Sequence, residues 1–378
     1  MERYLNEYIR RDLKEKIVLL SGPRQVGKTT LARQLTSSHA YLNYDAAADR
    51  RILQSQEWDR DCELAVFDEL HKMKGWKAWI KGIFDTEGTT PQLLVTGSAR
   101  LDTYKKGGDS LAGRFYSYRL HPLTVHEICT SLEESSQAAL DKLMALGGFP
   151  EPYLKNSEAF AKRFRRMHTD TIVREDLLDL ERVRDIKSIE VMIDLLRSRV
   201  GATTSFTALA NDLQVSIHTV KHWLQILENL YIIFSVRPYH KNVARSLLKE
   251  AKYYLYDTGA VEGGLGPRLE NVVACALLRQ LHFLEDSTGS KTALHYLRDK
   301  EKNEVDFLVL MDNKPVMMVE VKASGDDFSS ALFRFQGYLT QARPFQIVYG
   351  LTRMRSRGDA RMLPAHEFLK DLPGLIPA

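Results

Sequence analysis

Ile17-Val-Leu-Leu-Ser-Gly-Pro-Arg-Gln-Val-Gly-Lys-Thr-Thr-Leu-Ala-Arg-Gln-Leu35 is the stretch whose reading decides the fold. Ile17–Leu20 is apolar without a break, as in a strand covered on both faces. Leu31, Ala32 and Leu35 then recur at helical spacing. Between strand and helix runs G-x-x-x-x-G-K-T, from Gly22 to Thr29, in the strand–loop–helix setting that this phosphate-binding pattern requires. Gly22 and Gly27 let the backbone curl, so that the loop through Pro23, Arg24, Gln25 and Val26 turns its N–H groups toward phosphate oxygens, reinforced by the start of the helix. Lys28 is expected to reach the β- and γ-phosphates and Thr29 to ligate Mg²⁺, with Thr30 completing the nucleotide contacts. The expected cofactors are therefore ATP and Mg²⁺.

Working outward, 378 residues predict two or three domains. A hydrophobic share of 44% and a charged share of 27% are those of a globular protein, and a net charge of +4 permits nucleic-acid binding without arguing for it. Cys62, Cys129 and Cys275 are odd in number and match neither a zinc spacing nor a disulfide framework, which fits a reducing cytoplasm. The charged start MERYLNEYIRRDLKEK has no apolar core of the kind a signal peptide needs, and residues 1–16 are expected to form an amphipathic helix. No apolar run is long enough for a membrane span, so no membrane association is expected.

Leu64-Ala-Val-Phe-Asp68-Glu69 is a second buried strand that ends in acids. At the carboxyl end of a parallel strand, Asp68 is placed to hold Mg²⁺ through water and Glu69 to polarise the attacking water. Gln92–Ser98 is another such strand, and Thr96 or Ser98 at its end is a candidate γ-phosphate sensor, with Ser98 preferred at the tip. Arg114, on the loop before Tyr118–Leu123, is the preferred arginine finger acting on a neighbouring subunit, with Arg100 and Arg119 as alternatives. A finger of that kind predicts a homo-oligomer.

GPRQVGKTTLARQL, LAVFDELHK, LLVTGSAR and LAGRFYSYRLHPLTVHE, in that order, resemble the AAA-class P-loop ATPases of bacteria and archaea that carry an uncharacterised C-terminal domain. The resemblance implies adenine-nucleotide hydrolysis, with Lys28, Thr29, Asp68 and Glu69 in the roles given above. It also implies a C-terminal domain built like an endonuclease core.

Helices are expected over Thr124–Ser136, Ala138–Leu146, Ser157–Asp179 and Ile186–Val200, with Gly147-Gly-Phe-Pro-Glu-Pro152 as a break in which the prolines prevent a restart. Lys162, Arg163, Arg165 and Arg166 form a basic run that reads either as a solvated face or as a contact for nucleic acid or a protein. Thr207–Leu213, a turn at Gln214–Ser216, Ile217–Leu230 and the strand Tyr231–Val236 outline a winged helix-turn-helix. His218, Thr219, Lys221, His222 and Gln225 are expected on the exposed face of its second helix, and Arg237, Lys241, Arg245, Lys249 and Lys252 on its wing. The same fold is equally a packing module.

The C-terminal third reads as the helix Arg268–Leu281 with Glu270 in its first turn, and a meander of Thr292–Leu297, Glu304–Leu310 and Pro315–Ala323. A helix Asp326–Tyr338, a strand Phe345–Tyr349 and an edge-covering tail follow. Asp306 lies inside an apolar run, where an unpaired carboxylate is costly. Strand alternation puts Glu320 and Lys322 on one face. Together they form the D…E-x-K set of the restriction-endonuclease-like fold: Asp306 and Glu320, with Glu270, as ligands of a second Mg²⁺, and Lys322 on the attacking water. The alternative is a buried acid–lysine pair serving structure alone.

The fold class expected is α/β: a P-loop AAA-type ATPase domain (1–120), a helical lid or linker (121–200), a winged helix-turn-helix (201–252) and a restriction-endonuclease-like α/β domain (253–378). The function expected is Mg²⁺-dependent ATP hydrolysis coupled to domain movement, with DNA, RNA or a protein as partner. The alternatives are an ATP-gated nuclease and a nucleotide-dependent switch with an inactive nuclease-like domain.

Overall fold

The computed structural model describes residues 1–97, 111–176, 186–240 and 250–376, which divide into two units, Met1–His121 and Pro122–Ala378. Ser98 and Arg100 of the sequence reading lie outside the described residues, as do Lys241, Arg245 and Lys249.

In the first unit β1, Ile17–Ser21, is buried at every position, as its unbroken apolar run requires. With β2 (His39–Asn43), β3 (Leu64–Asp68), β4 (Gln92–Thr96) and β5 (Phe115–Arg119) it forms an all-parallel sheet ordered β2-β3-β4-β1-β5. Because Leu20 lies beside Thr96 and Thr96 beside Asp68, the carboxyl ends of β1, β4 and β3 share one edge of the sheet. One face carries Ile17, Leu19, Ala65, Phe67, Leu93 and Val95 against Trp58, Trp76, Ile80 and Ile83. Phe67 meets the rings of Trp58 and Trp79 edge-on at 5.2 and 5.4 Å. The N-terminal helix is shorter than expected, Asn6–Asp12.

In the second unit, helices Val125–Leu132, Ser136–Leu146, Pro150–Lys155 and Glu158–Thr171 precede a π-turn at Ile172–Asp176 and the helix Ile186–Arg197. The prolines do not block a restart, contrary to the expectation. Pro150 opens a helix, since its missing N–H falls among the first-turn donors that lack an intrahelical partner anyway. Helices Phe206–Leu213 and Ile217–Asn229 meet at Gln214, which has φ 53°, and Ser205 and Ser216 cap them by accepting from Ala208 N and Thr219 N.

The largest difference from the sequence reading is one continuous nine-stranded sheet. It contains β6 (Thr203–Thr204), β7 (Ile233–Pro238), β8 (Ala251–Leu255), β9 (Thr292–Arg298), β10 (Glu304–Met311), β11 (Lys314–Lys322), β12 (Arg343–Val348), β13 (Arg355–Arg357) and β14 (Ala360–Pro364), ordered β13-β14-β12-β11-β10-β9-β7-β8-β6. β9–β11 are the expected antiparallel meander. β7 then pairs in parallel with β9 through Arg237 and Pro238, joining the helix-turn-helix strands to the C-terminal sheet. The tail does not merely cover an edge: β14 pairs with β12, and Ala365–Leu375 is a helix that buries Phe368, Leu369 and Leu372.

Candidate functional site

The loop after β1 takes the backbone that its glycines predict. Gly22 has φ 144° and Gly27 φ 101°, and a Cβ on Gly22 would lie 2.3 Å from Leu120 O. The Lys28 ammonium is buried within the loop, donating to Gly22 O at 2.9 Å and Pro23 O at 2.7 Å. Arg3 supports the loop from the N-terminal segment, donating to Val26 O at 2.8 Å and His121 O at 2.6 Å.

Asp68, at the end of β3, is the hub of the site. Its Oδ2 accepts from Thr29 Oγ1 at 3.2 Å and from the Tyr41 hydroxyl. Its Oδ1 accepts from Thr96 Oγ1 at 2.6 Å and from Glu69 N at 3.1 Å. Burial, then the bond to Asp68, push the Tyr41 hydroxyl far above the ordinary tyrosine value. Arg33 stacks over the Tyr41 ring at 4.3 Å. Thr29 and Asp68 together offer hydroxyl and carboxylate oxygens at one point, a hard donor set suited to Mg²⁺.

Glu69 follows with φ 55°, a left-handed conformation that a non-glycine residue adopts only when its surroundings enforce it. Burial raises its carboxyl above the usual range, opposed by Lys72 and reinforced by Asp68. Lys72 Nζ lies 3.4 Å from Glu69 and 2.5 Å from Asp45, and His71 Nε2 lies 3.6 Å from Glu69.

The structure thus brings Gly22–Thr29, Asp68, Glu69 and the alternative sensor Thr96, here bonded to Asp68, to one sheet edge and adds Tyr41 and Arg3. Arg114 is not brought there. It stands at the amino end of β5, on the opposite edge, and donates to Asp85 Oδ1 at 2.6 Å. Tyr41 and Arg3 have no local sequence signal, because one follows from strand order and the other from a long-range loop contact.

In the second unit Glu270, Asp306, Glu320 and Lys322 also converge, around a residue assigned above to the wing. Lys252 lies on β8 with its side chain 1% exposed. Its ammonium is 2.7 Å from Glu304 Oε1, 3.1 Å from Asp306 Oδ1 and 3.2 Å from Glu270 Oε1. Burial works against its charge, but Asp306, Glu270 and Glu304 outweigh burial and hold Lys252 above the ordinary lysine value. A bulge between Val305 and Leu308 aims Asp306, whose Oδ2 accepts from Val321 N at 2.9 Å. Tyr254 donates to Glu270 at 2.7 Å, and Lys322 pairs with Glu320 Oε1 at 2.7 Å. Burial and then Asp306 raise Glu270 and Glu320 to about 7 each. Among the described residues no group of three or more His, Cys, Asp or Glu is arranged to hold a metal ion. The signal for Lys252 was legible in principle: a lone lysine in Ala251-Lys-Tyr-Tyr-Leu255 is as conspicuous as Asp306 in its own strand.

Of the basic run, Arg165 turns inward and donates to Leu146 O at 3.3 Å, capping the helix Ser136–Leu146. It also faces Asp257, whose carboxyl burial raises to about 6.

A parallel sheet with a G-x-x-x-x-G-K-T loop at its carboxyl edge and an acidic strand end beside it defines the P-loop nucleotide-binding class. Residues 14–129 match the family model described as an AAA domain. Residues 137–265 match a domain of unknown function (DUF8612), and residues 265–368 match another (DUF4143). The chain is 26% identical over 313 residues to the uncharacterized protein Rv2008c of Mycobacterium tuberculosis, covering 79% of this chain and 68% of that one. It is 24% identical over 342 residues to the uncharacterized protein MJ1544 of Methanocaldococcus jannaschii, covering 80% and 74%. Among solved structures it is similar to a point variant of Thermotoga maritima RuvB, at 17% identity over 65% of this chain and 91% of that one, with a TM-score of 0.32. A likeness that loose carries no functional argument. No helix among the described residues is long and apolar enough to cross a membrane.

Proposed function

We propose that this chain binds and hydrolyses ATP with Mg²⁺, and couples turnover to movement of its second unit. The observation that carries this reading is the hub at Asp68, where the Thr29 hydroxyl lies 3.2 Å from the carboxylate that closes β3. Lys28 now satisfies its ammonium with Gly22 O and Pro23 O, and phosphate oxygens at the loop would take over those bonds. Thr29 and Asp68 would hold a Mg²⁺, which would offset the charge that develops on the phosphate oxygens. Thr96 orients Asp68 from the next strand. Glu69, whose carboxyl burial raises, accepts a proton from the attacking water. Ser98 keeps its proposed role as sensor of the γ-phosphate, since the Thr96 hydroxyl is already committed to Asp68. Arg114 acts in trans, which requires a homo-oligomer.

A second reading, contact with nucleic acid or a protein through a winged helix, is favoured by the exposed His218, Lys221, His222 and Gln225 on the helix whose Val220, Trp223, Leu224 and Leu227 are buried. The test is ATP turnover by the full chain and by Lys28→Ala, each with and without duplex DNA, single-stranded DNA and RNA. Turnover that survives Lys28→Ala removes the site assignment. Turnover unchanged by every nucleic acid removes the second reading in its nucleic-acid form.

A further inference from the structure

The D…E-x-K set implies a second Mg²⁺, and the residues as folded do not fit one. Mg²⁺ takes about six oxygen ligands at about 2.0–2.1 Å. Here two of those carboxylates, Glu270 and Asp306, converge with Glu304 on an ammonium. Lys252 Nζ lies within 3.2 Å of Glu270, Glu304 and Asp306, contributed by the helix Leu265–Thr288 and by β10. Asp306 spends one oxygen on Lys252 and the other on Val321 N. Glu270 Oε1 serves both Lys252 and Tyr254.

Lys252 has little freedom to leave. Its strand is paired on both sides, Lys252 standing opposite Val236 of β7 and Thr203 of β6. The side chain is also among the largest of those fully buried in the protein, with the Tyr296 ring 5.6 Å from its ammonium. Removing a cation so placed would strand three carboxylates inside the sheet. Next to this cluster, Glu320 is 4% exposed and its Oε2 has no hydrogen-bond partner among the described residues. Val319 lies opposite Phe307, which sets Glu320 beside Asp306. That oxygen is a ligand atom held ready beside a position already filled.

We infer that Lys252 is the resident cation of the C-terminal carboxylate site, and that the protein binds no divalent metal there while this lysine is in place. The wing strand that carries it thereby locks a nuclease-like arrangement in a metal-free form. This site is built from residues of the second unit alone, and its metal binding is measured without ATP turnover.

The test is Mn²⁺ binding to the full chain without nucleotide, read by the loss of the free Mn²⁺ electron paramagnetic resonance signal. Wild type and Asp306→Asn should give superimposable titrations. Lys252→Met, which keeps the length of the side chain and removes its charge, should gain one Mn²⁺ site bound about tenfold or more tighter than anything in wild type. Adding Asp306→Asn to that variant should abolish the gain. Two results overturn the inference: wild-type Mn²⁺ binding that Asp306→Asn removes, or a folded Lys252→Met that binds no more Mn²⁺ than wild type. Should Lys252→Met not fold, the comparison of wild type with Asp306→Asn decides alone, since identical titrations support the inference and a difference refutes it.

Discussion

Replacing Lys252 by methionine should destabilise the second unit, and by an amount that depends on pH. The ammonium has three carboxylate partners at 2.7–3.2 Å and 1% exposure, so its loss breaks a buried ionic network rather than a surface pair. Removing one partner from such a network costs about 3–5 kcal/mol, because the charges left behind stay buried and uncompensated. The cost can be relieved only if carboxylates take up protons. Glu270 and Glu320 already sit at about 7, raised from an ordinary 4.5 first by burial and then by Asp306, with Lys252 acting to lower both. A carboxyl raised on folding contributes stability that is fully present below its unfolded value and is lost as pH rises through its folded value. In wild type that window runs from about 4.5 to about 7. Without Lys252 both groups rise further, so the window extends upward. The gap between variant and wild type should be small at pH 5 and widest above pH 8. Urea unfolding followed by circular dichroism at both values, with Glu270→Gln added to the variant as a rescue, measures it. A cost below about 1 kcal/mol that does not change with pH would show that the three acids do not depend on this lysine.

Further outcomes concern the first unit. Lys28→Ala should abolish ATP turnover, and Glu69→Gln should retain ATP binding while turnover falls by about 10²–10⁴-fold, the usual share of a general base; a coupled phosphate-release assay beside nucleotide-binding titration separates the two. Arg3→Met removes two donors to backbone carbonyls, at 2.8 and 2.6 Å, one of them on the phosphate loop. It should weaken ATP binding with little change in maximal rate, and an equal fall in both would argue against a loop-supporting role. Arg114→Ala should leave stability close to that of wild type, since its partner Asp85 is exposed, yet lower turnover about 10³-fold or more if it reaches a neighbour's nucleotide. Unchanged turnover in a demonstrated oligomer would end the finger proposal.

The sequence alone determined the elements whose chemistry is local. Gly22 and Gly27 dictate a curled loop because only glycine takes those backbone angles cheaply, and four apolar residues before Asp68 dictate a buried strand with its acid at the end. That Glu320 and Lys322 share a face was legible for the same reason, since strand alternation fixes it, whereas the approach of Asp306 and Glu270 depends on register and helix placement. Register and strand order depend on contacts between distant segments, and no local pattern encodes them. So only the tertiary structure decided that Thr96 and Tyr41 orient Asp68, that Arg3 supports the phosphate loop, and that Arg114 stands on the far edge of the sheet. It also decided that β7 joins β9, which makes one sheet of two expected domains. In that sheet Lys252, one basic residue among several in the sequence, becomes the buried charge around which three acids are arranged.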